Sequence, residues 1–201
     1  MNATKIQLSK DELILVENAG WILTKNTIIR KVYNLFGALS EEMKASLYKI
    51  HLPEEVKQTT AKISKGENYK GLPYVVLDYP RLFTRQDSFA IRTLFWWANY
   101  FSVTLHLKGV YKELFIELLR KNILLLSMND FYIGISEDEW QHGLDEDNYI
   151  SLRQTNAIHL ERIFKQQPFL KLSAKINFHQ WNQSEVLLLN LFTTILQSLQ
   201  D

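Results

Sequence analysis

Two short runs of alternating residues, 89–97 (FAIRTLFWW) and 101–107 (FSVTLHL), constrain the fold of this chain more than any other feature. In the second run, apolar side chains alternate with Ser102, Thr104 and His106. Successive side chains of a β-strand point to opposite faces of the sheet, so this run predicts a strand with one apolar and one polar face. The few residues between the runs predict an antiparallel hairpin.

The length of the hairpin loop decides which side chains of the two strands share a face. A two-residue turn would place Arg92 on the apolar face, whereas a three-residue loop (residues 97–99) pairs Trp96 with Tyr100 and puts Arg92 on the polar face. Because burial of an unpaired guanidinium is costly, we predict the three-residue loop. The polar face then carries Arg92, Trp96, Tyr100, Thr104 and His106.

These five residues are the candidate ligand-binding site, and they suit an anionic or aromatic ligand. Arg92 would bind phosphate or carboxylate as a fork, Trp96 and Tyr100 would form stacking walls, and His106 would donate or accept a proton. The alternative is a structural role, in which a helix packs over this face and Arg92 pairs with a carboxylate. The sequence identifies no catalytic residue.

The rest of the chain changes from helical to strand-like patterns near residue 70. Ser9 and Glu12 have the spacing of a capping box, Thr24 and Ser40 can begin further helices, and Pro53 suits a helix that runs to about Gly66. Strands are predicted at 74–79, 89–97, 101–107, 131–136 and 169–178. Helices are predicted at 110–122, in part of 151–166 and at the C-terminus, and residues 123–126 fit either type.

This order predicts an α+β fold, with an N-terminal helical region followed by a mainly antiparallel sheet of about five strands and packing helices. We expect residues 1–201 to form one domain. A soft subdivision separates a helical lobe, residues 1–68, from the sheet region, residues 69–201. The lobe is too short to make more than a marginal core alone.

Two charged segments are further candidates. Asp78, Arg81, Arg85 and Asp87 surround a predicted strand end, and surface ion pairs are favoured there over contact with the face of Arg92. Residues 137–147 hold six acidic side chains, and within them Glu139 and His142 have the Glu-x-x-His spacing of di-metal sites. Because no second such pair exists, a solvated acidic loop is favoured over a cation or basic-partner site, and we predict no metal.

Composition narrows the function only coarsely. The formal net charge is +1, so we expect no nucleic-acid partner. Cysteine is absent, so we expect no thiol chemistry and a cytoplasmic protein. No apolar run has the length of a membrane-spanning helix, so we expect no membrane segment. No phosphate loop, nucleophile elbow or dinucleotide motif occurs, and no cofactor is indicated. The sequence favours a ligand-binding or protein-interaction module, with a homodimer as a possible assembly. The alternative is a small enzyme for an anionic substrate, with Arg92 as clamp and His106 as acid or base.

Overall fold

The computed structural model describes residues 7–201, which fold around a seven-stranded antiparallel sheet with the strand order β1-β2-β3-β4-β7-β5-β6. The α+β class is therefore confirmed, with seven strands instead of about five. The two strands that the sequence did not predict are β1 and β6, one at each edge of the sheet. β1 has the polar sequence KISKGENY, and β6 is only three residues long, so neither carries an alternating apolar signal.

The helices and strands have the following bounds. The helices are α1 (Lys10–Glu17), α2 (Ala19–Leu47), α3 (Glu54–Lys57), α4 (Val110–Lys121), α5 (Ile123–Met128), α6 (Ala157–Gln166) and α7 (Ser184–Ser198), with a 3₁₀ helix at Phe178–Gln183. The strands are β1 (Lys62–Tyr69), β2 (Leu72–Phe83), β3 (Ser88–Trp96), β4 (Tyr100–Lys108), β5 (Tyr132–Gly134), β6 (Tyr149–Ser151) and β7 (Phe169–Asn177).

The hairpin between β3 and β4 has the predicted three-residue loop. Trp96 pairs with Tyr100, and Arg92 pairs with Thr104. Ala98 lies in the loop with a φ of 60°, a left-handed conformation that a tight turn imposes. This register places Arg92, Thr104 and His106 on the same face of the sheet, as the sequence predicted.

The other face of the sheet is the main hydrophobic core. Side chains such as Phe89, Ile91, Phe101 and Leu105 are buried there against helices α2, α4 and α7. Phe101 lies in an aromatic cluster, with its ring centroid 5.3 Å from those of Phe178 and Trp181. The three helices therefore close this face by apolar burial.

The N-terminal helices differ from the prediction in their boundaries. α1 begins at Lys10 behind the predicted capping box of Ser9 and Glu12. α2, however, is a single helix of 29 residues that runs through Thr24 and Ser40. The Ser40 hydroxyl donates to the carbonyl of Gly37 one turn earlier, so it bonds within the helix and does not cap a new one.

The helix predicted from Pro53 to Gly66 is also shorter than expected. α3 ends at Lys57, and β1 follows at Lys62 as an edge strand that pairs with β2. The soft boundary near residue 70 corresponds to the turn between these two strands. Among the helices of residues 7–201, none combines the length and the apolar character that crossing a bilayer requires.

Candidate functional site

The polar face of the sheet is covered by a loop. From the sequence, a helix was considered as the cover of this face. Residues 135–148, which we call the covering loop, connect β5 to β6 and contain the whole acidic segment. The backbone N–H of Ile135 donates to the carbonyl of Asn148 at 2.8 Å, which closes the base of the loop. The acidic segment was expected to be a solvated loop, and five of its six acidic side chains are exposed. Glu139 and His142, however, contact side chains of the sheet.

Directed hydrogen bonds hold the covering loop on the sheet. The Tyr69 hydroxyl accepts from the backbone N–H groups of His142 and Gly143 at 2.8 and 2.9 Å. The Tyr100 hydroxyl accepts from the N–H of Leu144 at 2.7 Å. The ammonium of Lys171 donates to two loop carbonyls, that of Glu139 at 3.0 Å and that of Gln141. These side chains thus satisfy backbone groups of a loop that lacks a strand partner.

Arg92 is at the centre of the polar face. Its Nε and Nη2 atoms donate to the two carboxylate oxygens of Asp78 at 2.7 and 2.9 Å. Its Nη1 atom lies 2.7 Å from Nε2 of His142. A guanidinium always donates, so Nε2 must accept and the proton of the neutral imidazole must sit on Nδ1.

The pairing of Asp78 corrects the prediction of surface ion pairs in residues 78–87. Asp78 is only 7% exposed, and β2 continues through Pro80 to Phe83 with an irregularity between Asp78 and Arg81. The buried carboxylate therefore belongs to the site. Asp87, by contrast, accepts from the N–H of Val110 at 2.9 Å, at the start of α4.

A second charged group lies beside the first, around Glu139 of the covering loop. Its carboxylate accepts from Nζ of Lys108 at 2.9 Å and lies 3.2 Å from Nε2 of His106. Burial, together with the charge of Lys171, lowers the pKa of His106 to about 4, although Glu139 opposes this shift. His106 is therefore neutral near pH 7.

Two further ionisable groups under the loop, His142 and Lys171, also have pKa values displaced from the usual ones. Burial lowers the pKa of His142 to about 2, and the charges of Arg92 and Lys171 act in the same direction. Burial and Arg92 lower the pKa of Lys171 to about 7. Exclusion of water is the main cause of both lowered pKa values, and the charges of Arg92 and Lys171 are the next causes at His142.

A cavity of about 200 Å³ lies between the covering loop and strands β1 to β3. Arg92 forms part of its wall, and two tyrosines and a tryptophan supply aromatic surface. The tryptophan, Trp140, is 52% exposed and stands at the edge of the cavity. The lining residues are Ser64, Tyr69, Tyr74, Val76, Arg92, Leu94, Trp140 and His142.

The five predicted site residues share one face, but only Arg92 is among those that line this cavity. Trp96 and Tyr100 are buried in a small apolar cluster with Val76 and Leu94. The hydroxyl of Thr104 lies 2.7 Å from that of Ser173 on β7. His106 is buried beside Glu139, and its ring centroid is 5.9 Å from that of Trp140.

Sequence reasoning missed the contribution of the covering loop and of β1 to the cavity. From the sequence, His142 was considered only as part of a Glu-x-x-His pair in the acidic segment, and residue 69 lies at the predicted boundary between the helical lobe and the sheet region. The available signal was Arg92 on a sheet face, because a buried guanidinium needs a carboxylate partner and a segment that excludes water from the pair. The sequence did not reveal which segment would supply them.

No group of three or more His, Asp or Glu side chains that would hold a metal ion is found within residues 7–201. Comparisons with family models, with curated proteins and with solved structures find no match to this chain.

Proposed function

We propose that this protein binds a small anion, of the size of a short carboxylate, in the cavity under the covering loop. The observation that carries the proposal is the position of Arg92 in the cavity wall. Asp78 and His142 engage three of its five N–H donors, which leaves two donors for a ligand. Asp78 also fixes the plane of the guanidinium, so little side-chain entropy remains to be lost on binding.

The surroundings of Arg92 favour an anion over a neutral ligand. Arg92 and Lys171 both contribute positive potential at His142, which explains part of its lowered pKa. The imidazole of His142 also lines the cavity, and the aromatic rings of Tyr69 and Tyr74 supply an apolar wall. The cavity volume of about 200 Å³ lies below the roughly 300–1,000 Å³ of common ligand pockets, which restricts the ligand to a few heavy atoms.

The test compares anionic probes with their neutral analogues. Acetate, benzoate and inorganic phosphate, with acetamide and benzamide as controls, are titrated into the protein in a thermal-shift assay and by calorimetry. We expect at least one anion to raise the melting temperature and its amide to have little effect, because a ligand specific to the native state stabilises it. Absence of binding by every anion up to about 10 mM would contradict the proposal.

A neutral-pair variant tests the role of Arg92 without leaving an unpaired buried charge. In the double substitution Arg92→Gln with Asp78→Asn, both charges are removed together, and we expect anion affinity to fall at least about tenfold. The matched control is Arg85→Gln, since Arg85 is exposed in the turn between β2 and β3. Equal anion affinity in the neutral-pair variant and in the control would show that the anion binds elsewhere.

A further inference from the structure

The segment at residues 7–24, which we call the N-terminal arm, is unlike the rest of the molecule because all of it is exposed. It consists of α1 and the first turns of α2. Eight large apolar side chains between Leu8 and Leu23 have exposed fractions of 42–72%. From Ile29 onward, by contrast, the apolar side of α2 is buried against the sheet. A single exposed leucine is ordinary, but a contiguous apolar surface of this kind marks an interaction site.

The arm has an apolar groove and, outside it, further exposed apolar side chains. α1 and α2 meet at Asn18, whose backbone is not helical and whose side chain accepts from the N–H of Trp21 at 3.1 Å. A groove of about 430 Å³ lies at this junction, lined chiefly by Leu15, Val16, Trp21 and Ile22. Other side chains of the arm, such as Ile14 and Leu23, are each 63% exposed.

The groove continues toward the sheet. A second depression, of about 370 Å³, includes Trp21 and Ile28 of α2 together with Trp97 of the β3–β4 loop. Trp21 is therefore shared between the two depressions. A partner seated on the arm would contact an aromatic residue at the centre of its footprint, which is where binding energy usually concentrates.

We propose that the N-terminal arm is the interface of a two-fold symmetric homodimer. A groove and protruding apolar side chains on one short element make a surface that is complementary to itself, as an isologous interface requires. One charged side chain, Glu12, lines the groove, and residues 13–16 and 18–23 carry none, so two copies of the arm would meet through a mostly uncharged surface. This proposal is independent of the anion site, because the arm lies outside the cavity wall.

The exposed apolar area suits a second copy. Complete burial of one large apolar side chain removes on the order of 100 Å² from water, and these side chains are about half exposed. Two arms could then bury at most roughly 900 Å² of apolar surface, which together with the polar atoms around it is near the lower limit of roughly 1,000 Å² for a specific interface. The dimer is expected to be of moderate affinity, with a dissociation constant of about micromolar order.

The charges of the arm argue against the alternative of a membrane surface. Between residues 8 and 23 there is one basic side chain, Lys10, against three acidic ones, Asp11, Glu12 and Glu17. Helices that lie on anionic membranes carry an excess of Lys and Arg on their polar face. The arm has the opposite excess, and a protein partner of the same sequence is favoured.

The direct test is the mass of the full chain in solution, measured by light scattering and by sedimentation from about 1 to 100 µM. We expect a dimer for the wild type and a monomer for Val16→Glu and for Trp21→Glu. A charge buried in an apolar interface should weaken the dimer at least about 100-fold. Ile158→Glu is the matched control, because Ile158 is 85% exposed on α6, and it should stay dimeric.

Three outcomes would overturn the proposal. They are a wild-type monomer at the highest concentration, a dimer that both arm variants retain, and binding of the wild type to vesicles of anionic lipid that both arm variants lose. Circular dichroism checks the fold of each variant, and the exposure of α1 predicts that Val16→Glu keeps it.

Cross-linking gives a second measurement that does not depend on the charge variants. The chain has no cysteine, so single substitutions at residues 13–16 introduce the only thiol. Under mild oxidation, at least one of Leu13→Cys, Ile14→Cys, Leu15→Cys and Val16→Cys should form a disulfide-linked dimer. Its rate should exceed that of Ile158→Cys at least about tenfold, because disulfides require Cα atoms within about 7 Å. If no position exceeds the control, the arm is not the interface.

Discussion

The two faces of the central sheet are covered by different means. Helices α2, α4 and α7 cover one face with apolar side chains. The covering loop covers the other face, and side chains of the sheet hold it there by hydrogen bonds to its backbone. Apolar burial is non-directional and tolerates small shifts, but hydrogen bonds require each partner in place. The loop-covered face carries a cavity lined by Arg92 and, beside it, buried ionisable groups with displaced pKa values.

The displaced pKa values under the covering loop follow from this difference. His106, His142 and Lys171 are buried by a segment that has no regular secondary structure, and burial is the largest cause of each shift. Groups with displaced pKa values are concentrated at functional sites in many proteins. A loop held by a few side chains also opens more readily than packed helices. These two properties support a ligand site on the loop-covered face.

The largest effect on stability is expected from a substitution in the core of the helix-covered face. Phe101→Ala removes a fully buried ring that contacts Phe36, Phe178 and Trp181, and it should lower the free energy of unfolding by about 3–5 kcal/mol. Chemical denaturation measures this loss. Phe83→Ala, on the rim of the loop-covered face, is the matched comparison, because Phe83 is already 38% exposed and should cost about 1 kcal/mol. Equal losses would show that the two faces are packed alike.

A smaller effect is expected from acidification, and it belongs to the loop-covered face. His106 takes up a proton near pH 6.5 when unfolded but only near pH 4 when folded. Between these values the unfolded state binds more protons, so the free energy of unfolding should fall as the pH is lowered from 6.5 toward 4. The buried His142 adds to the same trend. Lys171 acts in a separate window, where stability should rise between about pH 7 and 10.5.

Denaturation at a series of pH values measures the acidic trend. His106→Gln should reduce the loss of stability by roughly 1–3 kcal/mol between pH 6.5 and 4, because glutamine has no proton to bind. His159→Gln is the control, since His159 is exposed on α6. If His106→Gln and His159→Gln have the same pH dependence, His106 does not contribute to the acid sensitivity.

The sequence contained enough information to predict the register of the central hairpin. The alternation in residues 101–107 and the cost of burying Arg92 were local arguments, and both depend on a single pair of adjacent strands. The observed pairing of Trp96 with Tyr100 confirms them. The same local arguments predicted α4, β7 and the capping box at Ser9.

The cover of the site depended on long-range contacts that the sequence did not reveal. Arg92 is paired with Asp78 from the preceding strand and with His142, which is 50 residues away. Tyr69 lies in an edge strand whose residues lack an apolar pattern and whose partner is fixed only in the folded sheet. Spacing along the chain predicts local structure, but it does not show which loop will fold over which face.

The smallest effect on stability is expected from a substitution that removes one attachment of the covering loop to the sheet. Tyr69→Phe keeps the ring but removes the hydroxyl that accepts from the N–H groups of His142 and Gly143. The two backbone donors lose a buried partner, so we expect a loss of about 1–2 kcal/mol in the stability of the loop. Hydrogen exchange should show the amides of His142 and Gly143 exchanging at least about tenfold faster, while the amide of Val103 in β4 keeps its rate. Tyr48→Phe, at an exposed tyrosine, should change neither. If Tyr69→Phe instead accelerated exchange equally in β4 and in the loop, the two faces would open together, and the covering loop would not be a separate unit of stability.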